Sequence, residues 1–335
     1  MLVDEIGCGM SASSVGVGME YISESCRVRT LSFVQRSSQL QGHQGALSRV
    51  GMSADVFIGT VDVVVVDAAL LVVDRIDDSV VADVRGDSIL EVVEVGWDGV
   101  LSLFDGVLEG RVVWHGTRAR VRGGNGAGLV RLVGGSSMWS SSGLWLEGMD
   151  GVFVDEGSFV DGRSVNMSGG VVNVSGVVST NGRGWPAAQG PCGASVSRDV
   201  GFGGSHGGSG STWGNAGATV NCTFGDAVRP LSWGGGSGRR HVASGGLPGG
   251  GALHVHAAVL IVDGSLSSRG SNAGGQHYGG GGGGSVWIVA EELGGSGVVS
   301  VRGGRGREYG GGGGGGRIGI QCVNMSFGGV LDASG

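Results

Sequence analysis

Two histidines at i and i+2, His254 and His256 in "LHVHAAV", are the residues best spaced for chemistry. On a β-strand such a pair shares one face and can offer two imidazole nitrogens to one metal ion. A closed site needs further ligands. The positions one repeat later, Trp287 and Val289, supply none, so His254 and His256 stand as weak metal candidates beside the plainer reading of histidine stacked on an indole. The acidic residues come as neighbours: Asp77 with Asp78, Asp155 with Glu156, Glu291 with Glu292. Carboxylate catalysis needs two carboxylates facing one space, whereas neighbours on a strand point to opposite faces. These pairs read as solvated turn acids, and no catalytic residue is expected. No cofactor is expected either. "GGNGAG" at 123–128 is followed by neither a helix nor a P-loop lysine, and the glycine runs lack the aspartates of calcium-binding nonapeptides.

Other residues are placed for modification. Five cysteines, Cys8, Cys26, Cys192, Cys222 and Cys322, show no C-x-x-C spacing, so neither a zinc site nor a redox motif is indicated. Cys192 and Cys222 flank one Gly-rich stretch and form the candidate disulfide. Asn166, Asn173, Asn221 and Asn324 lie in N-x-S/T sequons, which act as glycan acceptors only in a secretory compartment. Trp114, Trp139, Trp145 and Trp287 are of the type that stacks on sugar rings, although core filling is the expectation for most of them.

The elements that must position these residues are announced by glycine. The chain has 335 residues, of which 77 are glycine, about three times the usual share. Yet 40% are hydrophobic, too many for a purely disordered tract. All 22 basic residues are arginine and the net charge is −7; without a basic stripe, nucleic acid is not an expected partner. The longest apolar stretch, "VFIGTVDVVVVDAALLVVD", is interrupted by Asp62 and Asp67, so no transmembrane span is read. "MLVDEIGCGM" lacks the basic start and apolar run of a signal peptide, while "LDASG" stops in mid-pattern. A segment of a longer protein is the expectation, and location is not decided by the ends.

Three segments superpose: "GGGALHVHAAVLIVDGSLSSRG", "GGGSVWIVAEELGGSGVVSVRG" and "GGGRIGIQCVNMSFGGVLDASG". Gly251, Gly284 and Gly316 recur with a period of about 32–33 residues, as do Gly264, Gly297 and Gly329, and periods of this size mark solenoids. Leu253, Val286 and Ile318 match, as do Leu266, Val299 and Leu331. Stacking the units would line these side chains into internal ladders. The predicted fold is all-β, a right-handed parallel β-helix (solenoid) with Gly-rich loops, its hand taken from the rule for parallel crossovers. The glycine runs are expected to leave the coils as loops, with Tyr278 and Tyr309 stacked at their start. An added glycine in the 310–316 run should then cost little, whereas an insertion between Gly284 and Trp287 would flip the strand faces. A shorter unit, "GGVVNVSGVVSTNGRG", sets Gly170 at the Gly251 landmark and Gly176 at Gly264, with Val172 and Val174 inward and Asn173 outward. The organisation expected is an irregular segment or cap over 1–50, solenoid coils over 51–183, a Gly/Pro-rich excursion over 184–250 holding all four prolines, and three tandem repeats over 251–335.

The stretches "VVSTNGRG", "FGDAVRPLSWGGGSG" before "GGGALHV", and "GGGGGSVWIVAEELGGSGVVSVRGG" before "GGGGGGGRIGI" resemble large glycine-rich β-helical surface proteins of plants and protists, labelled tenascin-like or receptor-like. The resemblance covers about residues 165–335. Its usual Tyr-Gly-Asp-x-x-x-Pro is present with Phe224 in the Tyr position, then Gly225, Asp226 and Pro230. It implies a repeated module of a long extracellular or cell-surface chain and carries no catalytic residues. The function expected is therefore a non-catalytic structural or adhesive segment, not an enzyme, meeting carbohydrate or other surface proteins, with the oligomeric state open. The alternatives are a carbohydrate-active β-helix enzyme, which needs a carboxylate-lined groove, and an ice- or surface-binding solenoid, which needs the Thr-x-Thr ranks this sequence lacks.

Overall fold

A computed structural model describes residues 130–132, 136–192, 201–212, 222–239 and 245–335 with their side chains, and before residue 130 the paths of strands alone. All the regular elements are strands. No helix among the described residues is long and apolar enough to cross a membrane. The chain divides into two compact units: 1–141 with 145–158 and 168–170, and 142–144 with 159–167 and 171–335.

The first unit contains β1 (Val17–Tyr21), β2 (Val28–Phe33), β3 (Gly51–Ala54), β4 (Val61–Val65), β5 (Leu70–Ile76), β6 (Val80–Val84), β7 (Ile89–Val95), β8 (Leu101–Phe104), β9 (Val107–Gly110), β10 (Val113–Arg122), β11 (Leu129–Leu132) and most of β12 (Ser137–Val154). β1 and β2 pair antiparallel. From there the pairing is parallel: β2, β4, β6 and β8 in one sheet, and β3, β5, β7, β9, β11 and β12 in another. From β2 to β9 consecutive strands alternate between the two, which winds the chain into coils, and β10 joins the second sheet by pairing with β7 and β12. Leu70 lies beside Ile89, and Leu129 beside Gly151, so a coil here is much shorter than the landmark spacing of the C-terminal repeats. Of the Asp-Gly dipeptides at which the sequence predicts turns, Asp150-Gly151 and Asp161-Gly162 lie inside β12 and the later strand over 159–174, while Asp98-Gly99 and Asp105-Gly106 lie outside the described residues.

The second unit contains most of β13 (Phe159–Val174), with β14 (Val177–Ser179), β15 (Ala252–Val262), β16 (Ser265–Ser267), β17 (Ser285–Gly294), β18 (Val298–Ser300), β19 (Arg317–Met325) and β20 (Val330–Asp332). The longer strands stack parallel as β13, β15, β17 and β19, and the short ones as β14, β16, β18 and β20. The register is the one the glycine landmarks imply. Leu253 faces Val286 and Val286 faces Ile318; Leu266 faces Val299 and Val299 faces Leu331. Leu253, Val255, Val286, Ile288 and Leu266 are fully buried. Each side chain of that size removed from water contributes about 1.5–3 kcal/mol.

Alternation fails at defined places. In β17 Ala290 is buried, Glu291 and Glu292 are both exposed, and Leu293 is buried again. The same double exposure recurs twice in β12. These are the corners where one strand turns onto the next wall of the coil, so a neighbouring pair there does share the outward side.

The glycine runs are not slack loops. Gly279–Gly284 is buried throughout, and so are Gly234–Gly238 and Gly201–His206. None belongs to a strand, yet nearly all their N–H groups are used, in three directions in turn. Gly280 and Gly283 donate to Gly311 and Gly314, Gly281 and Gly284 to Ser271 and Ser268, and Gly279 and Gly282 to Gly238 and Gly235. A period of three with no bonds inside the segment is the signature of polyproline II backbone. Extended segments from several coils and from the excursion thus pack side by side as a hydrogen-bonded lattice. Glycine is required by space: a Cβ on Gly283 would overlap the Val301 carbonyl oxygen, and one on Gly204 that of Gly235. The second landmark is explained in the same way, since a Cβ on Gly264, Gly297 or Gly329 would overlap the carbonyl of Gly176, Gly264 or Gly297 respectively.

Two details differ from the sequence reading. The residue lying against Gly251 is Arg163, while Gly170 lies against Met149; the short unit keeps the Gly176 landmark and loses the other. Tyr309 stacks on His277, ring centroids 5.1 Å apart, and Tyr278 instead carries the Arg239 guanidinium. His277 and Tyr309 are the true equivalents, one repeat apart, and both adopt left-handed backbone (φ 70° and 62°) where the chain turns into a glycine run.

Candidate functional site

The wall formed by β15, β17 and β19 carries the histidine pair. His254 lies directly beside Trp287, rings stacked at 4.3 Å and 13°, and His256 lies beside Val289, exposed. Burial, and then the neighbouring His256, push the His254 imidazole below its ordinary value. Beyond Trp287 comes Gly319, where the ring of Pro230 lies so close that a Cβ would stand 2.6 Å from Pro230 Cδ. Among the described residues no three His, Cys, Asp or Glu side chains converge as a metal group would require.

The remaining candidates are scattered. Glu291 and Glu292 both face solvent at a corner. Asp155 is tied to Arg131 at 2.9 Å and Glu156 is exposed; Asp77 and Asp78 lie outside the described residues. Cys192 and Cys222 are joined in a disulfide with their Cα atoms 5.8 Å apart, and Cys322 is a free, half-buried thiol. Asn166 and Asn173 are half-buried, Asn173 between the fully buried Val172 and Val174. Asn324 is exposed on β19. Asn221 lies outside the described residues, as do Cys8, Cys26 and the side chain of Trp114. Trp139, Trp145 and Trp287 are half-buried.

The polar groups with the most definite geometry tie coil to coil. Asp161, Ser179, Ser267, Ser300 and Asp332 occupy successive rungs of one ladder. Arg183 clamps Asp161, its Nε–H at 3.1 Å and an Nη group closer still. Burial nonetheless raises the Asp161 carboxyl, the arginine acting against it. Further along, Asn181 Nδ2 donates to Ser267 Oγ at 2.9 Å while its Oδ1 accepts the Arg269 N–H at 2.6 Å, and Arg269 Nε donates to Ser300 Oγ at 2.8 Å. Each contact bridges residues far apart in sequence.

The excursion is held by a second set. His206, fully buried, donates from Nδ1 to the Gly283 carbonyl at 2.8 Å, with the Gly284 carbonyl at 3.1 Å and the Phe224 ring at 4.9 Å. That bond fixes the neutral tautomer, leaving Nε2 buried without a hydrogen-bond partner. Burial drives this imidazole below its ordinary value, with the nearby Arg317 charge in the same sense and the two carbonyls against it. Arg317 Nε donates to the Phe224 carbonyl at 2.9 Å, and Ser285 Oγ donates to the Ser232 carbonyl at 2.6 Å. Trp233 lies beneath the Arg163 guanidinium at 3.7 Å, meets Trp185 edge-on at 5.4 Å, and donates to Ser164 Oγ at 3.1 Å. The motif residue Asp226 turns its carboxylate to the N–H groups of Val228 and Arg229, which hold it below the usual carboxylate range.

Reading by repeats missed His206 and the polar ladder for different reasons. The ladder carried a signal, since Ser267, Ser300 and Asp332 recur with the period of the glycine landmarks. His206 carried none, because its partners are main-chain carbonyls 77 and 78 residues away. No protein-family description, no curated protein and no solved structure matches this chain.

Proposed function

We propose that this chain is a non-catalytic structural or adhesive β-solenoid segment of an extracellular or cell-surface protein, its coils turning in the right-handed sense usual for parallel crossovers. The observation that carries this reading is where the polar side chains go. Asp161, Arg183, Asn181, Arg269, His206 and the ladder serines Ser267 and Ser300 all bond across coils or into the glycine lattice, so the chemistry of these residues is directed to holding segments together. A disulfide fits an oxidising compartment. The exposed Asn324 and the partly exposed Asn166 and Asn173 offer glycan acceptors on the same basis, and carbohydrate or other surface proteins are the partners proposed.

The test is immunolabelling of intact and permeabilised cells that express the chain, paired with a screen of the purified chain for depolymerisation of pectic and other acidic polysaccharides. Label on intact cells with no release of sugar ends is expected. Label only after permeabilisation would remove the surface assignment, and turnover of a polysaccharide would replace the structural reading by the enzymatic one.

A further inference from the structure

The wall formed by β14, β16 and β18 shows one outward series on every rung. Alternate residues of a strand share a face. Val177, Ser179 and Asn181 therefore look outward on one rung, Ser265, Ser267 and Arg269 on the next, and Val298, Ser300 and Arg302 on the one after. The register runs on past the strands, since the N–H of Gly182 donates to the Arg269 carbonyl and that of Gly270 to the Arg302 carbonyl. Each of these rungs is paired on both sides, the outermost two with β13 and β20. Three columns thus run along the coil axis. The first is apolar and open: Phe159 is 43% and Val177 37% exposed, with Ser265 and Val298 half-buried. The second is the ladder of serines, buried because the third, Asn181 and Arg269, leans over it. Among the described residues the Arg269 guanidinium meets a hydroxyl, Ser300 Oγ, and no carboxylate. The acids of the ladder stand at its ends, Asp161 against Arg183 and Asp332 within reach of the Arg302 charge. Glu156 and Asp263, both exposed, precede the apolar column, on the side away from the arginines.

We infer that this wall binds a linear acidic polysaccharide laid along the coil axis, its sugar rings on the apolar column and its carboxylates on Arg269 and Arg302. From Phe159 to Val298 the column takes three steps of ~4.8 Å, about 14 Å in all. A pyranose chain repeats its ring face and its carboxylate at a similar advance, so one ring can follow one rung. Arginine supplies the planar fork that fits a carboxylate, and Asn181 adds a polar neighbour for hydroxyls. A peptide is a poorer fit: these strands are paired on both sides, and no edge is left for another strand to extend. A lipid surface is a poorer fit too, because Ser265 breaks the apolar column and its neighbours are charged. The chain as a whole carries a net charge of −7 and repels polyanions, so retention of one has to come from a local array. The inference deepens the adhesive reading by naming the partner, and it rests on that reading only for its cellular setting. Binding is measured on the isolated chain, apart from cell labelling and sugar release, so the two can fail separately.

The probe is a fluorescently labelled oligogalacturonide longer than the column, titrated with the full chain and followed by anisotropy. Saturable binding that weakens with added salt is expected. The methyl-esterified oligomer keeps the rings and loses the charge; it should bind at least ~10-fold more weakly. A poly-glutamate peptide keeps the charge and loses the rings, and should weaken as much. Arg269→Gln with Arg302→Gln should cost at least ~10-fold at an unchanged melting temperature. Val177→Glu sets a like charge in the middle of the column without touching an arginine, so it carries the test should the arginine variant not fold. Arg229→Gln, an exposed arginine on the loop lying against Gly319 of β19, should bind as the parent does. No binding, equal binding of the esterified oligomer or of poly-glutamate, undiminished binding by folded Val177→Glu or arginine variants, or an equal loss in Arg229→Gln would each overturn the assignment.

Discussion

Replacing Gly283 by alanine tests the lattice at its most crowded point. The added methyl would overlap the Val301 carbonyl oxygen and stand 2.5 Å from the Gly316 nitrogen, the two atoms that form one of the lattice bonds. The carbonyl of Gly283 also accepts from buried His206. Overpacking of this kind costs about 1–3 kcal/mol, and a buried donor left without its acceptor costs about 1–3 kcal/mol more. The sum, about 2–6 kcal/mol, is a large part of the roughly 5–15 kcal/mol that holds an ordinary domain together. Gly312→Ala is the matched control. Its methyl meets only ordinary van der Waals neighbours, and alanine restricts the unfolded chain, so this variant should be neutral or more stable by about 0.4–1 kcal/mol. Urea unfolding followed by tryptophan fluorescence reads both from the shift in midpoint at constant slope. Were the two variants displaced alike, or Gly283→Ala not displaced at all, the glycines would be spacers and the lattice reasoning would fail.

Ile288→Asp places a carboxylate on a fully buried rung between Val255 and Ile320, and loss of the cooperative melting transition is expected, since an unpaired buried charge costs several kcal/mol. One extra glycine after Gly312 should also be damaging, because it turns every later donor a third of a turn away from its acceptor; this reverses the tolerance expected of a loop, and melting temperatures of the insertion variants decide it. His206 is held neutral with its value depressed, so its contribution is complete above the unfolded value near 6.5 and is lost as pH falls below it toward the folded one. Melting curves from about pH 7 to about pH 5 should fall more steeply for the parent than for His206→Asn. His254 shifts in the same sense in both proteins, so the difference between the curves isolates His206. Reducing the Cys192–Cys222 bond, which spans 30 residues, should destabilise the chain by about 3–4 kcal/mol on the chain-entropy estimate, read as a lower urea midpoint with reductant.

The rung register was legible because two signals agreed. Alternation told which of Leu253, Val286 and Ile318 face inward, and the constant spacing of the glycine landmarks told which of them meet. The corners were hidden by the same alternation rule, since it assumes that Glu291 and Glu292 belong to one straight strand. The conformation of the glycine runs left no trace in residue type: a period of three among identical residues cannot be seen. Gly170 misled for a related reason. It is a glycine at the right distance from one landmark, in a unit too short to reach the other. Cys192 and Cys222 could be singled out as a pair, but nothing in the sequence tied the excursion between them to Gly283 through His206.

The lattice also changes how the order of this protein would register in the spectrometer. Backbone such as Gly279–Gly284 has no strand ellipticity, so circular dichroism would assign a large part of the C-terminal unit to unordered chain. Solvent exchange would say the opposite, because those amides are bonded and enclosed and open only when their neighbours come apart. In this molecule, low apparent secondary structure and slow deuterium uptake are two views of the same rigid region.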